Sequence, residues 1–336
     1  MRRIIIGMLA ALSLCGVAQA APTLIHGPIN AEDLAPLPGS EWVIASSMAG
    51  GRQGPGGFWI IDAGRKTASV AKLEPAPGTQ ACPAGFDPEK FAPHGLVAAR
   101  QGAGWTLHVV NHGGREAVER FDVQVKGGTP TIIWRDCVVL PEGGFANNLA
   151  VTANGTIAVS NMGRALGAES GGPGDLLLWS QEKGWQSLPG SRRAAWNGVL
   201  VSPDGSHIYA ASWSEKRVYE FIREGEKTVS RSVAVDFLAD NLRWDGEGAL
   251  LVAGQASPPD PVMNCFMSKA PQCGLASGFA RIEIDGMTVT CSQILPPTPE
   301  FDSATTALPV AGRIWLGTMR GDAVESVEAC GTGAGR

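Results

Sequence analysis

Down the chain one pattern of polar and apolar positions recurs. A polar residue opens a short apolar stretch, a tight turn follows, and an alternating apolar run then ends in small residues. Its instances are EDLAPLPGSEWVIASS from Glu32, HGLVAARQGAGWTLHVVN from His94 and NLAVTANGTIAVSN from Asn148. NGVLVSPDGSHIYAAS follows from Asn197, NLRWDGEGALLVAG from Asn241 and, more loosely, SATTALPVAGRIWLGT from Ser303. Alternation at period two is the signature of a half-buried strand. The turns PGS, ANG, PDG and DGEG place glycine or asparagine where a hairpin needs positive φ. Each instance is therefore predicted to be a β-hairpin.

The six hairpins begin roughly 44 to 62 residues apart, a spacing that in an all-β chain marks a β-propeller built of four-stranded blades. Further strand-like runs between the hairpins (GGFWIID, AVERFDV, GDLLLWS, RVYEFIR and GFARIEID) supply outer strands. The predicted fold is all-β, a single six-bladed β-propeller spanning 21–336 with a central channel that holds a metal site. A two-domain β-sandwich is the competing architecture, but it gives no reason for a polar residue to open every repeat.

Composition agrees and narrows the function. The chain has 44 glycines and 23 prolines among 336 residues, too many for a helical protein and without the period of collagen. A net charge of −5 leaves no basic footprint for nucleic acid. Residues 1–20 read as a cleaved signal peptide: MRR is the charged region, IIIGMLAALSLCGV the apolar core and AQA the cleavage site, with cutting expected near Ala20. The expectation is export to the periplasm or beyond, with no stable membrane anchor. In an oxidising compartment the remaining cysteines (Cys82, Cys137, Cys265, Cys273, Cys291 and Cys330) are expected to form disulfides, since their spacing matches no zinc pattern. Cys265 and Cys273 flank one short loop, so a local bridge between them is plausible, while the full pairing stays open.

In a propeller the innermost strands line the channel, so their opening residues meet in one ring. These are Glu32-Asp33, His94, Asn147-Asn148, Asn197, Asp240-Asn241 and Ser303. Buried polar groups need partners. A calcium ion, which takes six to eight oxygen ligands, would satisfy such a set and be neutralised by Glu32 and Asp240.

These motifs, with FAPHG at 91–95, VVNH followed by VERF, NGVLVSPDG and the DN of Asp240-Asn241, resemble the paraoxonase/arylesterase branch of the calcium-dependent six-bladed propellers, which is related to the SMP-30/gluconolactonase family. The resemblance runs from about Glu32 to Thr318. It implies a catalytic Ca²⁺ held by Glu32, Asn147, Asn197, Asp240 and Asn241. A second, structural Ca²⁺ would lie against Asp33, the Leu96 carbonyl and Asn148. The family carries an aspartate where this chain has Asn148, so a weak or empty second site is expected.

The same resemblance makes His94 a general base and His112 its proton-sharing partner. The implied reaction is hydrolysis of a small-molecule lactone or aryl ester by water on a calcium-polarised carbonyl. No G-x-S-x-G nucleophile motif is present. His26, His108 and His207 read as structural. Gln255 stands where paraoxonases carry a further active-site histidine, and the long loop after it, ASPPDPVMNCFMSKAPQCG, is expected to cover the channel mouth. Two alternatives stay open: an SMP-30-type sugar-lactone hydrolase with a single divalent ion and a carboxylate base, and a non-catalytic ligand-binding propeller.

Overall fold

A computed structural model describes residues 22–48, 55–75, 82, 85–163, 174–193, 195–225 and 227–329. The signal-peptide reading of residues 1–20, together with Cys330, lies outside them. Six antiparallel sheets surround a channel, each ordered from an inner to an outer strand. Blade I comprises Ala31–Pro36, Trp42–Ser47, Gly57–Asp62 and Thr67–Val70. Blade II comprises Pro93–Gln101, Gly104–Asn111, Ala117–Lys126 and Thr129–Val139, with Leu73–Pro75 added in parallel at its outer edge. Blade III runs through Ala146–Val151, Ile157–Asn161, Asp175–Ser180 and Gly184–Ser187. Blade IV consists of Trp196–Val201, His207–Ser212, Arg217–Glu224 and Lys227–Ala234. Blade V follows with Leu238–Trp244, Leu250–Gln255, Ser277–Glu283 and Thr288–Leu295.

Blade VI takes three strands from the C-terminal part, Ala304–Val310, Arg313–Thr318 and Ala323–Glu328. Its outermost strand is Thr23–His26, which pairs antiparallel with Ala323–Glu328. This exchange closes the ring by bringing both ends of the described chain into one blade. Apolar clusters fill the wedges between blades. Between blades I and II, Phe58, Phe86, Phe91 and Phe121 meet edge to face, and Trp134 stacks on Phe86. Disulfides join Cys82 to Cys137 and Cys265 to Cys273, and Cys291 is disulfide-bonded as well.

One irregularity repeats in every blade. Each inner strand breaks register with its neighbour near its start: between Ala31 and Asp33, Pro93 and Leu96, Ala146 and Leu149, Trp196 and Val199, Ala239 and Leu242, and Ala304 and Thr306. A β-bulge re-aims side chains out of the sheet alternation. The residues at these bulges are the polar openers of the repeats. Only the sixth differs from the sequence reading: Thr305, not Ser303, faces the channel, because the bulge lies two residues further on.

The segment after Gln255, read as a loop, instead contains a helix, Pro259–Met267. Prolines are tolerated in a first helical turn because the N–H they lack has no intrahelical partner there.

Candidate functional site

The six bulges build two layers of polar groups. Glu32, His94, Asn147, Asn197, Asp240 and Thr305 form an upper ring, the floor of a cavity of about 180 Å³. Below it Asp33, Asn148 and Asn241 cross the axis from alternate blades. Asn148 Nδ2 donates to Asp33 Oδ2 at 3.1 Å and to Asn241 Oδ1 at 2.5 Å. Room for these side chains comes from glycines in the intervening blades. A Cβ on Gly95 would lie 2.6 Å from the Cα of Asn148, and one on Gly198 would lie 2.6 Å from the Asp240 carbonyl oxygen.

In the upper ring Glu32 Oε2, Asn147 Oδ1, Asn197 Oδ1 and Asp240 Oδ1 are buried with no hydrogen-bond partner. An orphaned buried acceptor costs about 1–3 kcal/mol. Four in one cavity call for a ligand. Burial, and next the charge of Glu32, push the Asp240 carboxyl well above its usual range. Among the described residues no group of three or more His, Cys, Asp and Glu side chains could hold a metal. The ring's donors are instead two carboxylates and two carboxamides, a hard oxygen set that fits a calcium-like cation rather than a thiolate- or imidazole-seeking metal.

The neighbours of the ring hold it in place. Asn241 Nδ2 donates to Glu32 Oε1 at 2.8 Å, while its own Oδ1 accepts from Asn148, so Asn241 braces Glu32 from below. Gln255 Nε2 donates to Asp240 Oδ2 at 2.8 Å and to the Ala304 carbonyl at 2.9 Å, and its Oε1 accepts from Trp213 Nε1 at 2.8 Å. That leaves Asp240 Oδ1 facing the cavity. The Thr305 hydroxyl donates to the Glu32 carbonyl at 2.6 Å.

Asp33, Leu96 and Asn148 also come together, but a guanidinium already lies among them. Arg243 donates to the carbonyls of Leu34 (2.9 Å), Leu96 (3.0 Å) and Leu242 (2.8 Å), and its NH2 lies 2.5 Å from Asp33 Oδ1. Asp33 Oδ1 also accepts from the Leu34 amide, and Oδ2 from the Leu96 amide and Asn148. Burial raises the Asp33 carboxyl, with Arg243 opposing that shift. In this arrangement the residues do not fit a second cation. Nothing in the repeat pattern marked Arg243, which lies two residues beyond Asn241 on the same inner strand.

His94 and His112 are brought together at one side of the ring. His94 Nδ1 and His112 Nε2 are 2.9 Å apart. His94 Nε2 lies 3.4 Å from Asn147 Nδ2 and 3.5 Å from Glu32 Oε1. Behind them His112 Nδ1 meets Glu116 Oε2 at 2.8 Å, and the His112 ring stacks on Phe145 at 4.4 Å. The walls above are apolar, lined by Met48, Phe145, Met162, Trp213, Met263 and Met319 among others. Val262, Met263 and Phe266 bring the helix to the cavity, and Val262 packs on Leu238 and Met319. The remaining histidines take no part: His26 is exposed, His207 pairs with Glu220 across the second and third strands of blade IV, and His108 is buried between strands.

No family model matches the chain, and no curated protein matches it in sequence. Solved structures share its fold. A luciferin-regenerating enzyme aligns with a TM-score of 0.59 at 13% identity, covering 93% of this chain and 96% of that one. A protein assigned as a gluconolactonase aligns with a TM-score of 0.58 at 16% identity, covering 93% and 92%. A PQQ-bound aldose sugar dehydrogenase from Streptomyces coelicolor aligns with a TM-score of 0.54 at 16% identity, covering 93% and 99%. The chain is thus a six-bladed propeller, a fold it shares with these proteins. Fold alone does not choose among the activities it hosts.

Proposed function

We propose that this protein is an exported, calcium-dependent hydrolase of lactones or aryl esters with an apolar portion. One observation carries the reading: a histidine pair opens onto four unpartnered buried oxygens at the floor of an apolar cavity. Glu32, Asn147, Asn197 and Asp240 would hold the ion, with Asn241 and Gln255 orienting Glu32 and Asp240. Calcium, when bound, supplies Lewis-acid polarisation of the substrate carbonyl. His94 Nε2 takes the proton of the attacking water, and His112 shares it across the 2.9 Å contact. The methionine and aromatic walls seat the apolar group and exclude water from the floor. No acyl-enzyme is involved.

A sugar-lactone hydrolase is the second reading, supported by the fold shared with the protein assigned as a gluconolactonase. Walls of methionine, phenylalanine and tryptophan offer few partners to a polyhydroxylated ring, which favours the first reading. Export is supported by the disulfides Cys82–Cys137 and Cys265–Cys273. No helix among the described residues is long and apolar enough to cross a membrane.

The test is turnover of alkyl lactones, gluconolactone and phenyl acetate with calcium, with EDTA, and by His94→Gln. Turnover of alkyl lactones or phenyl acetate that is abolished by EDTA and by His94→Gln is the expected result. Activity sensitive to EDTA but retained by His94→Gln points to a carboxylate base and the sugar-lactone reading. No turnover of any of these substrates leaves a binding propeller.

A further inference from the structure

We propose that Glu116 is a positioning residue that sets the tautomer of both histidines and so makes His94 Nε2 the free base of the site. The chain of contacts leads from solvent to the ring. Glu116 is about one-third exposed, with its side chain at 30%, and its Oε2 lies 2.8 Å from His112 Nδ1. His112 Nε2 lies 2.9 Å from His94 Nδ1. His94 Nε2 faces Asn147 and Glu32.

The donor and acceptor roles propagate from one end. An ionised carboxylate only accepts, so His112 must carry its proton on Nδ1. Its Nε2 is then an acceptor, which requires the proton of His94 to be on Nδ1. His94 Nε2 is left with a lone pair, correctly placed to accept from Asn147 Nδ2 at 3.4 Å and to take a proton from water. The other end of the chain pulls in the opposite sense. Glu32 Oε1, 3.5 Å from His94 Nε2, favours a proton on that nitrogen, which would reverse every donor in the chain. The closer contact at Glu116, 2.8 Å against 3.5 Å, decides the direction. Phe145, stacked on His112, keeps that ring aligned with both partners.

The same geometry gives the proton a route out and back. When His94 Nε2 takes a proton from water, its Nδ1 proton can pass to His112 Nε2, and the His112 Nδ1 proton to Glu116, which leaves both rings as Nε2–H and neutral. Return of the proton along the same path delivers it from His94 Nε2 to the leaving oxygen and restores Nδ1–H on both rings.

The catalytic part of this inference rests on the hydrolase reading; the tautomer assignment does not. The experiment therefore begins with the protein uniformly labelled at histidine with ¹⁵N, with and without calcium. Long-range nitrogen–proton correlation spectra identify the tautomer of each ring, with His94→Gln and His112→Gln giving the assignments. Nδ1–H is expected on both rings of the wild type. In Glu116→Ala the acceptor at His112 Nδ1 is lost and Glu32 Oε1 is left to direct the chain, so both rings are expected to shift toward Nε2–H. Nε2–H rings in the wild type, or spectra unchanged by Glu116→Ala, would overturn the proposal. If lactones or esters are turned over, Glu116→Ala should lower kcat about 10- to 100-fold with KM within twofold and calcium content unchanged. Unaltered kcat would remove Glu116 from the relay. Spectra as expected without any turnover would leave the tautomer assignment standing and reject the hydrolase reading instead.

Discussion

Arg243 on blade V and Asp33 on blade I form an ion pair 2.5 Å long inside the channel, joining blades that are not neighbours. Both side chains are almost fully withdrawn from solvent, at 8% and 0% exposure. The guanidinium also binds carbonyls of blades I, II and V, so one side chain ties three blades at the axis. Removing one partner from a buried pair strands the other charge and typically costs about 3–5 kcal/mol, whereas replacing both partners with apolar residues can be nearly neutral. Arg243→Met is therefore expected to lower the denaturant midpoint sharply, and Asp33→Leu with Arg243→Met to recover part of the loss. Because the guanidinium provides the positive charge there, calcium titration should find one ion per chain. Two tightly held ions would refute this account of Arg243.

Gln255 sets the geometry of Asp240 through one amide nitrogen and is itself fixed by Trp213. Partners that orient a metal ligand are worth about 10- to 100-fold in metal affinity. Gln255→Leu should weaken calcium binding by that factor in calorimetry and, because it strands Asp240 Oδ2 and the Ala304 carbonyl, also destabilise the metal-free protein by about 1–3 kcal/mol. Trp213→Phe, which keeps the ring and loses its N–H, should show a smaller loss in the same direction. Equal calcium affinity in Gln255→Leu and wild type would show that Asp240 needs no such support.

Stability should carry a pH signature from outside the site. His108 is buried without a partner for Nδ1. Burial, with smaller contributions from the charges of Arg120 and Arg135, lowers it from 6.5 to about 3. Below pH 6.5 the unfolded chain binds a proton that the folded chain refuses. The contribution of this residue is thus fully present above that pH and falls as pH drops toward 3, by about 1.4 kcal/mol per pH unit at most. His108→Leu should flatten the fall between pH 6 and 4 in unfolding curves. A pH dependence identical to that of wild type would place the acid sensitivity elsewhere.

The ring was legible because a propeller repeats its grammar: a polar residue opening each hairpin means the same thing six times. Glu32, His94, Asn147, Asn197 and Asp240 all face one cavity for that reason. What the repeat does not encode was missed. Arg243 and Glu116 act across blades or through an intermediate side chain, and their spacing from the openers follows no period. Thr305 displaced Ser303 because register at a bulge is set by pairing with the next strand, not by the letters themselves. The helix Pro259–Met267 was hidden by its prolines, which mark a loop anywhere except the first turn.

Two glycines in the ring motif deserve the same test as the ligands. Gly95 and Gly198 follow His94 and Asn197 in blades II and IV, which contribute no side chain to the lower layer, and each faces the inner strand of the next blade. A Cβ at 95 would stand 2.6 Å from Asn148 Cα and 2.8 Å from the Asn147 carbonyl oxygen; one at 198 would stand 2.6 Å from both the Asp240 oxygen and the Leu242 nitrogen. These are backbone atoms, so relief requires neighbouring blades to move apart and carries Asn147 or Asp240 with them. Overpacking of this kind typically costs about 1–3 kcal/mol. Gly95→Ala and Gly198→Ala should each lose stability on that scale and also weaken calcium binding. Gly57→Ala, where a new Cβ meets nothing within 4 Å, is the control and should change neither. If the two ring variants lose stability yet bind calcium as wild type does, the close approach of the blades supports the fold alone, and the ring owes its geometry to the bulges.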